Sequence, residues 1–141
     1  MWRPPKSPHG LIQENLWPNE WKILISCLLL NQTTRKQVDK VIDDFFDRWP
    51  TPECFLSAHL GEVSHLLNPL GFHNRRPLTI YKFTVGYLEG RWEEPIELYG
   101  IGKYANDAWR IFYRGDWKSV EPQDHALNMY HKWLQERNEF N

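Results

Sequence analysis

Apolar residues recur along this chain at helical intervals, and no stretch alternates like a half-buried strand. Asn19 is placed to cap a helix through Trp21, Leu24, Ile25, Leu28 and Leu29. Its apolar residues fall on most sides, which marks a central element. Thr33 or Thr34 opens a second helix with Val38, Val41, Ile42, Phe45 and Phe46 as its buried stripe, ending before Pro50. Thr51-Pro52-Glu53 joins a capping hydroxyl to proline at the first helical position and predicts a short third helix. A further short helix over residues 62–67 stops at Asn68-Pro69-Leu70-Gly71. Asn74 can cap a longer one to about Leu88, built on Ile80, Phe83 and Tyr87. A short helix near residues 95–99, one from about 103 to 113, and a last one beginning near Gln123 or Asp124 complete the run. The expectation is a single all-α domain over residues 1–141, of about nine or ten helices with short connections.

Composition narrows the class. With 141 residues, 41% of them hydrophobic and eight Trp, one sizeable core can form. The longest apolar run, residues 23–30, is broken by Ser26 and too short to span a bilayer, so no membrane role is expected. The first residues, Met1-Trp2-Arg3-Pro4-Pro5-Lys6, lack the apolar stretch of a signal peptide, and export is not expected. Cys27 and Cys54 are the only cysteines, too few for a four-thiolate iron–sulfur cluster, and they read as reduced, buried thiols. His73, His125 and His131 raise a metal site. However, Asp124-His125 and His131 do not share one helix face, and no further ligand completes a set, so neither metal nor cofactor is expected. The net charge of −1 argues weakly against a nucleic-acid partner, although binding needs only one positive face.

The most informative stretch is Leu98-Tyr99-Gly100-Ile101-Gly102-Lys103, inside a hairpin spanning about residues 95–114. Two helical segments meet at a Gly-Ile-Gly turn, where Ile101 would point inward and pin the corner. The amides of Gly100, Ile101 and Gly102 then sit at a helix N-terminus, which favours a phosphate and needs few basic side chains. Lys103 reads as a further phosphate contact. The plainer reading is a helix corner with Gly as its C-cap, and a lone G-x-G would favour it. The string continues, however, to Pro122-Gln123-Asp124-His125.

The hairpin followed by Asp124 resembles the helix-hairpin-helix signature of the endonuclease III superfamily of base-excision glycosylases. Within it, the chain is most similar to the glycosylase domains of methyl-CpG-binding thymine glycosylases. The matching stretches include Leu11-x-Gln13-Glu14, Pro69-Leu70-Gly71, Pro95-Ile96-Glu97-Leu98-x-Gly100-Ile101-Gly102-Lys103-Tyr104-x-Asn106-Asp107 and Asp124-His125-x-Leu127-Asn128-x-Tyr130-His131. They run in order from end to end. The resemblance implies two lobes with a DNA-binding cleft between them, a double-stranded DNA substrate with a G·T or G·U mismatch, a monomer, and a nuclear setting.

It also implies roles. Asp124 would be the catalytic carboxylate, stabilising the cationic sugar and directing water; without the hairpin it would read as a helix N-cap, and both roles can coexist. Bifunctional members carry a nucleophilic lysine where this chain has Tyr104, and a phenol cannot form an imine, so an abasic product without strand cleavage is expected. Leu11, Ile12, Gln13 and Tyr104 would line the pocket for a base turned out of the duplex. Gln32 would fill the gap left behind, in a place where vertebrate members of the branch have Arg. Phe72 would wedge the opposite strand. Two rivals remain, an adenine-mismatch glycosylase and a non-catalytic helix-hairpin-helix DNA-binding module.

Overall fold

The most apolar stretch of the chain becomes the centre of the structure. Helix α1 (Glu20–Leu30) starts where the Asn19 side chain accepts from the Lys22 amide at 3.0 Å, and its residues 23–29 are all buried. The computed structural model describes residues 1–71 and 75–139. After α1 follow α2 (Arg35–Asp39), α3 (Ile42–Arg48), α4 (Pro52–Leu56), α5 (Leu60–Leu66), α6 (Arg76–Glu89), α7 (Lys103–Ala108) and α8 (His125–Glu139). No strand occurs among the described residues, as the periodicity required. The α-helices among them number eight rather than nine or ten, because several helical turns stay as 3-10 turns. One is Pro95–Glu97, where the Glu97 carboxylate reaches back to the Glu93 and Glu94 amides and caps the start of a three-residue turn. These amides also hold the Glu97 carboxyl below the usual carboxylate range.

The expected second helix is in fact two. Thr34 opens α2 by a reciprocal cap with Gln37, and the chain breaks at Val41 (φ −121°) before α3 resumes. The break keeps Val38, Val41, Ile42, Phe45 and Phe46 all in the core, since each half presents its own face to α1 and its neighbours. Thr51 caps α4 as its sequence predicts. Within α4, Phe55 points inward and is fully buried. Cys54, about 100° around the helix, is therefore exposed, contrary to the expectation of a buried thiol. The start expected at Asn74, like Phe72 and His73, lies outside the described residues.

Two aromatic groups flank α1. Trp21 meets Phe45, Phe46 and Phe55 at ring separations of 6.0–6.5 Å, and its indole donates to Thr84. Each such ring removed from water contributes about 2–3 kcal/mol. At the helix N-terminus, Glu20 accepts from the Tyr87 hydroxyl and the Trp109 indole, at 3.0 and 2.8 Å.

The extended N-terminal segment is strapped down. The Trp2 indole donates to the Phe112 carbonyl at 2.9 Å, and the Tyr130 hydroxyl to the Pro5 carbonyl at 2.7 Å. The buried Glu14 carboxylate takes hydrogen bonds from the Ser7 amide, the Ser7 hydroxyl and the Leu11 amide. These contacts lay the 3-10 turn Ile12–Asn15 across α1 and fix where Gln13 can point. Among the described residues, no helix is long and apolar enough to cross a membrane.

Candidate functional site

A cleft of about 550 Å³ opens where four segments converge: the Ile12–Asn15 turn, the end of α1, the first turn of α7 and the start of α8. That volume falls in the usual range for a small-molecule pocket. It gathers Leu11, Ile12, Gln13, Gln32, Tyr104 and Asp124, the residues singled out for pocket, extrusion and chemistry. The hairpin turn is not part of it. Phe72 lies outside the described residues.

Gln13 forms the floor at 1% exposure. Its amide nitrogen lies 3.1 Å from the Tyr104 phenol oxygen, 3.3 Å from the Ser26 hydroxyl and 3.5 Å from the Cys27 sulfur. The Ser26 hydroxyl spends its proton on the Ile23 carbonyl at 2.6 Å, so towards Gln13 it can only accept. The two amide protons of Gln13 are thus committed inward, and its carbonyl oxygen is the group left to meet a ligand. Ser26 and Cys27 were not singled out in the sequence, where they read as part of a buried helix. Only the fold turns that face of α1 under the cleft.

Burial and the neighbouring Cys27 and Asp124 raise the Tyr104 phenol above its ordinary value, so it is protonated at any working pH. Burial likewise pushes the Cys27 thiol up to about 11, with the Gln13 and Tyr104 hydrogen bonds pulling against it. Neither is a nucleophile at neutral pH. Lys103, next in sequence to Tyr104, turns away: its ammonium pairs with Asp107 and donates to the Glu121 carbonyl at 2.9 Å. No lysine lines the cleft among the described residues.

Asp124 stands exposed at the mouth. It caps α8, with its carboxylate accepting the Leu127 amide at 3.1 Å and its carbonyl the Asn128 amide at 2.8 Å. The capping role is therefore real, and it holds the carboxylate at a helix N-terminus facing the cleft. One carboxylate oxygen carries the cap bond, and the other is open to solvent or ligand.

Gln32 forms the rim in a backbone conformation that side chains other than Gly and Asn seldom adopt, φ +59°. That costs about 1–2 kcal/mol and persists only where the surroundings hold it. It lines the cleft on one side and a second groove of about 330 Å³ on the other, shared with Tyr99 and Gly100 of the hairpin.

In the hairpin, Ile101 is buried as expected. Gly100 has φ +80°, and a Cβ there would lie 2.7 Å from the Thr79 side chain, so only glycine fits. Gly102 is different: its φ is −108° and no atom lies within 4 Å of where a Cβ would stand, so its bare surface faces open space. Asn106 latches the two limbs, accepting the Ile96 amide at 2.9 Å and donating to Glu94 at 3.2 Å. His131 is buried, its Nε2 donating to the Trp117 carbonyl at 2.7 Å. Among the described residues no three His, Cys, Asp or Glu side chains gather as a metal site would need.

Comparison with known proteins gives the family. Residues 25–99 match the HhH-GPD superfamily base excision DNA repair protein profile, which ends just before the Gly-Ile-Gly turn. A methyl-CpG-binding domain protein 4-like protein of Arabidopsis thaliana is 38% identical over 136 residues, 96% of this chain and 31% of that protein. A thymine-DNA glycosylase of Aeropyrum pernix is 34% identical over 92 residues, 60% of this chain and 41% of its own length. A solved thermostable thymine-DNA glycosylase superposes with a TM-score of 0.62 at 26% identity, over 68% of this chain and 48% of that one. The chain thus spans less than half the length of each of these relatives.

Proposed function

The chain belongs to the HhH-GPD superfamily of base excision DNA repair proteins, and on that premise we propose that it is a monofunctional DNA glycosylase for thymine or uracil opposite guanine. The observation that carries the reading is the placement of Asp124 at the mouth of the cleft whose floor is Gln13 and Tyr104. The arrangement in two lobes about that cleft, the monomeric state and the nuclear setting belong to the same proposal.

The duplex would lie across the Gly100–Gly102 amides, with Gln32 entering the stack and the mispaired base turned into the cleft. The Gln13 carbonyl oxygen can accept the N3–H that thymine and uracil share. As the bond between the base and C1′ breaks, its electron pair leaves with the base and the sugar becomes cationic. The Asp124 carboxylate stabilises that charge, and water adds to C1′, its proton passing through Asp124 and ending on the departed base, which restores the carboxylate. The products are a free base and an abasic site. Tyr104 supports the absence of lyase chemistry, since a protonated phenol forms no Schiff base.

The test is excision from labelled duplexes holding G·T, G·U, A·U or A·8-oxoguanine pairs. Strand breaks after alkali alone, on G·T and G·U, are expected. Breaks without alkali, or an adduct trapped by borohydride, would remove the monofunctional claim. Cleavage confined to A·8-oxoguanine would favour adenine excision, and binding with no cleavage of any duplex would leave a DNA-binding module.

A further inference from the structure

The end of α1 has no basic residue in its last turn, although it carries the rim on which Gln32 stands. The positive charge comes from elsewhere in the chain. Arg76, on the first turn of α6, reaches across 48 residues of sequence to donate to the Leu28 carbonyl at 2.8 Å. The same guanidinium lies 3.5 Å from the Leu29 carbonyl and donates to the Asn31 carbonyl at 3.2 Å. Thr33 completes the closure, its hydroxyl donating to Leu29 at 2.6 Å and its amide to Leu30. The carbonyls that a helix terminus leaves without partners are thereby taken up on both sides of the bend. Asn31, whose carbonyl Arg76 grips, directly precedes the strained Gln32.

We propose that Arg76 is a positioning residue for base extrusion, holding the α1 terminus so that Gln32 stays in its left-handed conformation and projects from the rim. The inference rests on the glycosylase reading above. A planar fork suits the role, because one guanidinium bridges carbonyls three residues apart, which a single ammonium cannot do with the same geometry. Arg76 also borders the groove beside the hairpin, so its alternative role is a plain phosphate contact. The two roles differ in what they predict. A phosphate contact contributes to the salt dependence of binding; a clamp on backbone carbonyls contributes to the conformation of Gln32.

The experiment uses G·U duplexes with 2-aminopurine beside the mismatch, whose fluorescence rises when the neighbour leaves the stack. Wild type, R76K, R76A, Q32G and the R76K/Q32G double variant are compared, with thermal unfolding recorded for each. R76K keeps the charge and guards against a failure of R76A to fold. The expected result is an extrusion signal reduced about tenfold in R76K, with the slope of log affinity against log salt unchanged, and no further loss when R76K is added to Q32G. Wild-type extrusion in R76K overturns the inference. So does a loss that adds in full to that of Q32G, or a salt slope shallower by about one in R76A with extrusion intact in R76K. If the wild-type protein extrudes no base from any mismatch, the glycosylase reading falls, and this inference with it.

Discussion

The Gln13 amide nitrogen donates to the Tyr104 phenol oxygen at 3.1 Å, across 91 residues of sequence. This bond ties the N-terminal strap to the hairpin's second helix and decides which end of the amide faces the cleft. Tyr104→Phe removes the acceptor and leaves a buried amide proton without its partner. The expected cost is about 1 kcal/mol of stability, read from urea unfolding. Turnover on G·U duplexes should fall roughly tenfold, since the freed amide can rotate and present a donor where an acceptor is needed. Unchanged turnover in a folded variant would show that the orientation of Gln13 does not matter.

Asp124 holds two roles that substitution can separate. Asn is as good a helix cap as Asp, so Asp124→Asn should keep thermal stability within about 0.5 kcal/mol. Its lost charge should cut single-turnover excision by roughly 100-fold or more while duplex binding survives. Asp124→Ala should lose the same activity and about 1 kcal/mol of stability besides. An active Asp124→Asn protein would reduce the residue to its cap.

The two hairpin glycines should behave differently. Gly100→Ala meets both a positive φ and the Thr79 methyl at 2.7 Å, and is expected to destabilise the fold by about 2 kcal/mol. Gly102→Ala has ordinary φ and open space, so its melting temperature should barely move. What it should lose is duplex affinity, because the added methyl stands where a DNA backbone would approach the amides. Equal affinity for Gly102→Ala and wild type in a titration would remove that turn from the interface.

The buried thiol gives a pH dependence of stated direction. Cys27 rises from 9.0 to about 11 on burial, so between those values the folded chain keeps a proton that the unfolded chain has released. The contribution of this thiol to stability should be level from neutral pH to about pH 9 and decline towards pH 11, with Tyr104, Tyr87 and Tyr130, all raised by burial, adding to the fall above about pH 10. Denaturant midpoints across that range in wild type and Cys27→Ala would show whether the early part belongs to the thiol. Iodoacetamide at neutral pH should label Cys54 first and Cys27 only on unfolding.

Much of this was legible in the residues. Helical periodicity marked α1 as a central element, and Asn19 and Thr51 marked their starts correctly, as did Thr34 of the pair Thr33 and Thr34, because capping is a local event between a side chain and amides three residues away. Ile101 was readable as a buried pin because a G-x-G corner leaves its middle residue little choice. The break at Val41 was not readable, since either a straight helix or a bent one buries the same apolar stripe. Nor was the exposure of Cys54, which depends on which face a single short turn presents.

Residue order was enough for the all-helical class, the caps at Asn19 and Thr51 and the family signature, all of which rest on spacings within a few residues or on strings that can be matched directly. The family resemblance assigned Gln13, Tyr104 and Asp124 to one site, but no local rule in the residues themselves brings them together. Packing in three dimensions put them in a shared cleft, turned the Gln13 carbonyl outward through Ser26 and Tyr104, and brought Arg76 to the end of α1. Hydrogen bonds of this kind join positions tens of residues apart, and only the way the chain closes around α1 fixes the distances at which they form.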